Sequence, residues 1–390
     1  MPFMLNLNTI DTLFFRNNRS FSAGNPTLAE SLSPSLLSIY GAIGQYLLNE
    51  YNIPFSDYRK NQFNSDNTKI DKIGRYEPDI RSTKFKLKGF VYNYRDKYYF
   101  PPPANIFENG KKIISIPQPT NDYKWDITNE NLIRVKKPKS KGLLNEEPKP
   151  MKSFISFNVI KKYLQNSVIP SEKKDEKEFF EKETKFGHVL SPKTLSVEEQ
   201  YLYSSTHLRF KETGILGKYN KVKITVFVEG PDISDFRIGT MFLGGEKKQV
   251  YLDVKDDFNK TFYFEDEILT KIKNQKKFFL YFITPSIFTN GWNREWDSID
   301  EFKGSVLVGA AINKPETISG WKREGKKLGS AKGYPRPIRL VVPAGSVYFF
   351  DTQNWNDDKF KNLYKKFNLG ESVSEEYPAA GFGTALIGSW

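Results

Sequence analysis

The chemistry open to this chain is bounded by its reactive side chains. It carries two histidines, His188 and His207, and no cysteine among its 390 residues. Thiol nucleophiles, cysteine-ligated zinc and disulfide staples are thereby excluded, and a histidine-rich metal site or a histidine triad is not expected. His207 stands in "YLYSSTHLRF", close to Ser205 and Arg209. A histidine near an arginine can serve general acid–base chemistry on RNA. Without a second candidate acid, a structural or RNA-contacting His207 is the reading these residue types favour. His188, beside Gly187 in a charged stretch, carries no signal.

The closing stretch "AAGFGTALIGSW" invites a dinucleotide fingerprint. Gly381 and Gly383 would need a third glycine at position 386, which is Leu386, and no helix follows before Trp390. That reading fails. "GxxxxGK[ST]", "HExxH" and paired CxxC motifs are absent as well, so neither a phosphate-loop ATPase nor a zinc enzyme is expected, and no cofactor or metal is implied.

Charge is more informative. Lys and Arg number 59 against 46 Asp and Glu, a formal net charge of +13, and a field of this size attracts polyanions. Part of the excess is concentrated: residues 314–339 hold Lys314, Lys322, Arg323, Lys326, Lys327, Lys332, Arg336 and Arg339 against only Glu316 and Glu324. Such a patch fits nucleic acid or an acidic protein partner. Near the start, "DTLFFRNNRSFSAGN" runs from apolar Leu13-Phe14-Phe15 straight into Arg16-Asn17-Asn18-Arg19, then Phe21, Ser22 and Gly24. Two arginines and an aromatic on one turn offer phosphate forks and a stacking face, although salt bridges within the fold would use the same arginines.

These residues need a scaffold, and composition says which. Aromatics make up 15% of the chain, which favours strands. "MLNLNTI" reads as a first strand. Residues 33–50 read as a helix capped by Ser33, with Pro34 in its first turn; Gly41 and Gly44 inside it call for close packing on a sheet. "KFKLKGFVYNYRDKYYF" reads as a hairpin turning at Arg95-Asp96, with Lys84, Lys86 and Lys88 as one basic face. "RVKKPKSKGLLNEEPKP" reads as a mobile loop and "SEKKDEKEFFEKETKF" as a surface helix of mixed charge. The second half is a series of strands, "KVKITVFVEG", "RIGTMFLGG", "KQVYLDV", "KKFFLYFIT", "SVLVGAAIN", "IRLVVPAGSVYFF" and "GFGTALIGSW", with helices near 265–274 and 357–367. Gly244-Gly245 would join two of these strands in a tight turn. Strands with few helices predict an α+β fold on antiparallel sheets. No segment approaches the roughly 20 apolar residues a membrane crossing needs, and no leader is visible, so a cytoplasmic protein with no membrane contact is expected.

Four of these stretches, "DTLFFRNNRSFSAGN", "EQYLYSSTHLRF", "PRPIRLVVPAGSVYFF" and "GFGTALIGSW", resemble in order and context the third subunit of the Cmr complex, the type III-B CRISPR effector, a RAMP-superfamily family. The resemblance spans Leu5 to Trp390. It implies two ferredoxin-like (RRM-like) domains: 1–212, with a hairpin and charged insertions, and 213–390, ending in a glycine-rich loop and strand. It further implies a non-catalytic subunit that holds the 5′ handle of the CRISPR RNA and docks the large polymerase-like subunit and the backbone RAMP subunit. A metal-independent endoribonuclease acting on the CRISPR precursor is the alternative, since some RAMP relatives are enzymes. The RNA-binding residues implied are Arg16, Asn17, Asn18, Arg19, Phe21, Ser22 and Gly24, then His207 and Arg209, Lys322, Arg323, Arg336 and Arg339, and finally Gly381, Phe382 and Gly383. Where the family pattern leads one to expect Asp-Gly and Pro, this chain has Asn17-Asn18 and Ser20; asparagine tolerates the left-handed backbone of a tight turn.

Overall fold

The computed structural model describes residues 2–390 apart from 16–32, 63–66, 78, 82, 110–111, 116–117, 125–132, 136–148, 168–171, 192, 195, 216–217, 263–264 and 324–332. Side chains beside several of these stretches, including those of Lys322 and Arg323, lie outside the description too.

Alternation of apolar residues builds an eight-stranded sheet, in the order Lys173–Lys174, Phe154–Ser156, Lys97–Phe100, Lys86–Tyr94, Lys223–Glu229, Phe3–Thr9, Gln249–Lys255, Gly239–Phe242. Each neighbouring pair is antiparallel. In the first strand Phe3, Leu5 and Leu7 enter one core while Met4 enters another, because successive side chains point to opposite faces. Helix Leu36–Glu50 covers the first face with Leu36, Ile39, Ile43, Leu47 and Leu48. The second core lies against a four-stranded antiparallel sheet, ordered Val306–Ala311, Val347–Asp351, Lys277–Phe282, Ala385–Ser389, with helices Phe157–Leu164, Glu265–Gln275 and Asp357–Phe367. The architecture is α+β on antiparallel sheets. The eight-stranded sheet takes strands from both sides of residue 212.

Four local expectations change. The first helix begins at Leu36 with Ser35 at its N-cap, and the Ser33 hydroxyl instead donates to Glu176 at 3.2 Å. Gly41 faces open space and Gly44 only touches the Phe85 ring, so neither glycine is there for close packing. The lysine row is broken: Lys88 is buried, its ammonium donating to Gly370 O at 2.7 Å and pairing with Glu229 at 2.8 Å. Finally, the mixed-charge stretch keeps, among its described residues, only one 3-10 turn, Glu176–Glu178, in place of a surface helix. Phe180–Leu190 is a strand paired with Val197–Phe210. Buried Phe179 and Phe180 anchor it, and cross-strand pairing of Glu183 with Arg209 uses its charges better than a helix face would.

Candidate nucleic-acid interface

The chain leaving the first strand is held from two sides. Leu13 and Leu208 exchange backbone hydrogen bonds of 2.9 and 2.8 Å, and the Gly245 N–H donates to Phe14 O at 2.8 Å. The hairpin turn itself is made by Glu246 and Lys247, both at positive φ. Gly244 and Gly245 serve a different purpose from the one their pairing suggests. A Cβ on Gly244 would lie 2.5 Å from Phe14 O, so glycine is what allows the 11–15 segment to dock. Phe15 enters the core, and Phe14 stacks on the His207 ring at 5.0 Å. Residues 16–24 therefore depart from a fixed point; Arg16, Asn17, Asn18, Arg19, Phe21, Ser22 and Gly24 themselves lie outside the described residues.

His207 is fully enclosed. Its ring nitrogens lie 3.2 Å from Thr12 Oγ1 and 3.0 Å from Ser205 Oγ, and hydroxyls can complement either tautomer of a neutral imidazole. Desolvation pulls its pKa below the usual histidine value, against the opposing pull of Glu246 at 3.4 Å. Around it stand Asp11, Lys185, Lys248, Arg209 and Glu183. Asp11 is 3.4 Å from both lysines and 3.6 Å from Arg209. Burial pushes its carboxyl up, but the Thr12 N–H and the two lysines outweigh that and hold it down at about 2. Arg209 also pairs with Glu183, and both are partly exposed. The cluster thus fastens the end of the first strand to the Phe180–Phe210 ribbon, with His207 as a positioning residue and Arg209 at its solvent edge.

The later candidates meet elsewhere. Arg339 pairs with Glu376 at 3.0 Å, and the Arg336 guanidinium lies over the Tyr377 ring at 5.2 Å. Tyr377 in turn packs on Phe382. Phe382 is buried, and Gly381 and Gly383 have φ of 87° and 70°, which glycine adopts freely. A Cβ on Gly381 would lie 3.0 Å from Gly89 N and Leu87 O, and one on Gly383 would strike the Ser374 backbone. Close approach here is to the protein's own backbone. Lys322 and Arg323 sit on a ribbon opposite Tyr334 and Gly333. The structure thus gathers the candidates into two groups, one around Asp11 and His207, the other around Tyr377. Asp11, Thr12, Phe14, Lys185, Glu246 and Lys248 were not singled out from the sequence; Gly244-Gly245 was the available signal, and its pairing pointed to a turn instead of a docking seat.

The chain is an α+β protein on antiparallel sheets, with three cations and three carboxylates gathered around His207 where its first strand ends. Residues 5–390 match the model of the family described as CRISPR-associated protein (Cas_Cmr3), and the chain belongs to that family. It is a subunit of the type III CRISPR effector class, of the Cmr kind. Among solved structures it is similar to a chain of the type III-B Cmr-beta complex bound to cognate target RNA and AMPPnP, at 15% identity and a TM-score of 0.47, covering 89% of this chain and 86% of that one. A chain of the same complex bound to cognate target RNA matches at 15% identity and TM-score 0.46, covering 94% of each. A chain of the Csm3-Csm4 subcomplex of the type III-A interference complex matches at 13% and 0.41, over 100% and 99%. No curated protein matches. Among the described residues no helix is long and apolar enough to cross a membrane.

Proposed function

We propose that this chain is the non-catalytic subunit that holds the 5′ handle of the CRISPR RNA in a type III-B effector, built on two ferredoxin-like units and docking both the large polymerase-like subunit and the backbone RAMP subunit. The observation that carries the reading is the anchored exit at Phe14. Backbone bonds from two elements and a stack on His207 fix the point from which Arg16, Arg19 and Phe21 depart, and recognition of defined RNA atoms needs a preorganised origin. The burial of His207 supports a non-catalytic role, because a base enclosed between two hydroxyls has no free nitrogen for a ribose 2′-OH. Ultraviolet crosslinking of purified protein to a handle-bearing RNA, with the peptides mapped, tests this. Crosslinks should fall in residues 11–24, and binding should weaken at least about tenfold between roughly 50 and 200 mM salt if two or more phosphates are contacted. Salt-independent binding, crosslinks confined to other regions, or specific cleavage abolished by His207→Ala would overturn it.

A further inference from the structure

We propose that the open face of the eight-stranded sheet at its Gly239–Phe242 edge is a base-stacking surface for single-stranded RNA, with Phe242 and Tyr251 as its platforms. Met241, Val250 and Leu252 enter the core. Their neighbours in sequence must then point the other way, and Phe242 is 59% exposed, Tyr251 44% and Ile10 54%. Exposed apolar residues scattered singly need no explanation, but two rings on adjacent strands, with Ile10 just past the end of the first strand, form a patch. The register places Phe242 opposite Gln249 and Tyr251 opposite Thr240. The two rings are thus diagonal neighbours on adjacent strands, roughly 7–8 Å apart at Cα, a spacing that lets each take one of two successive bases.

The surroundings favour RNA over a protein partner. Exposed Ile10 and Ile238 border the patch, but the positions paired with the two rings carry amide and hydroxyl groups: Gln249, Thr240 and Asn8, which lies across from Tyr251. Those groups can hydrogen-bond base edges while the rings stack. Exposed cations flank the edge strand, Arg237 before it and Lys247 after it, where a backbone leaving the platform would pass. The turn that closes this strand pair is also the one whose Gly245 holds Phe14. The face therefore adjoins the anchored exit, and the inference rests on the RNA-binding reading above.

The test uses the full chain and two labelled probes, an oligouridine of about 20 nucleotides, longer than a typical single-fold footprint, and the same length with the bases replaced by abasic sites. Phe242→Ala and Tyr251→Ala should each weaken oligouridine binding about fivefold or more, leave abasic binding unchanged and leave the unfolding temperature unchanged; Phe242→Trp should retain wild-type affinity. Equal losses on both probes, or unchanged affinity in both alanine variants, would overturn the stacking surface. Unchanged affinity together with altered self-association on a sizing column would assign the face to a protein contact instead. Wild-type binding with indifferent variants removes only this surface, whereas a wild-type chain that binds neither probe removes the underlying RNA-binding reading with it.

Discussion

Gly381 lies against Gly89 with no side chain between them. A Cβ on Gly381 would come within 3.0 Å of the Gly89 nitrogen, and one on Gly89 would come within 2.7 Å of the Thr284 methyl. Gly89 sits where the register of its strand shifts, at φ 110°. This irregularity, a bulge that re-aims the strand, is where the loop before the last strand crosses the eight-stranded sheet.

Gly381→Ala should therefore destabilise the fold by about 1–3 kcal/mol, from the strain of a positive φ and the lost close approach. Thermal unfolding checks this. An alanine variant with unchanged stability but weakened RNA binding would show that the glycine serves the ligand and not the packing.

His207 makes a pH prediction. Its folded pKa is depressed by desolvation from the ordinary 6.5, so the unfolded chain takes up a proton where the folded chain does not, and stability must fall as pH drops below about 6.5. Asp11, held at about 2 against 3.8, adds a further loss only at strongly acid pH. Unfolding temperatures measured from pH 7.5 to 5 should decline in the wild type, and His207→Gln should flatten that slope. A parallel decline in the variant would place the titration elsewhere.

Lys88 should separate from the lysines it alternates with. Its ammonium is enclosed and holds both Glu229 and the Gly370 carbonyl, so Lys88→Ala leaves two polar groups short of a partner and should cost about 1–3 kcal/mol. Lys84, which faces Asp71 at 3.6 Å with both side chains largely exposed, should cost less than about 0.5 kcal/mol on truncation. Chemical denaturation of the two variants distinguishes them; equal midpoints would refute the contrast.

Much of the scaffold was legible because strands show either period-2 alternation, as in "MLNLNTI", or a short unbroken apolar run, as in "KKFFLYFIT". "MLNLNTI", "KVKITVFVEG", "KQVYLDV" and "KKFFLYFIT" all became sheet strands, and the helices near 265 and 357 appeared as read. Gly41 aside, the failures fall on charge-rich or glycine-bearing stretches whose partners lie on other elements. The charges of "SEKKDEKEFFEKETKF" fit a helix surface equally well until the neighbouring strand is laid beside it and Arg209 reaches Glu183 diagonally. Lys88 looked like a solvent residue because Glu229 and Gly370 are 141 and 282 positions away. The anchoring cluster was invisible for the same reason, since Asp11, Lys185 and Glu246 converge only once three separate elements are packed.

Arg209 should be the cluster's contribution to RNA affinity. It is half-exposed and held by Glu183 and, more loosely, Asp11. Exposed pairs of this kind contribute little to stability, so exchanging a carboxylate for a phosphate costs little, and a guanidinium fork suits a phosphate well. Arg209→Ala should leave the unfolding temperature nearly unchanged, weaken handle RNA several-fold and lower the salt slope by about one. Glu183→Gln, which releases the guanidinium, should leave affinity unchanged or raise it. Phe21→Ala should behave differently: if its ring stacks on a base, the loss should reach about 1–3 kcal/mol and be larger for handle RNA than for an unrelated strand, whereas Arg209→Ala should affect both strands alike. Equilibrium binding of the three variants to both RNAs gives the comparison. Equal losses for Phe21→Ala on the two strands would return the loop to nonspecific attraction, and an unaffected Arg209→Ala would confine that arginine to holding the ribbon against Asp11.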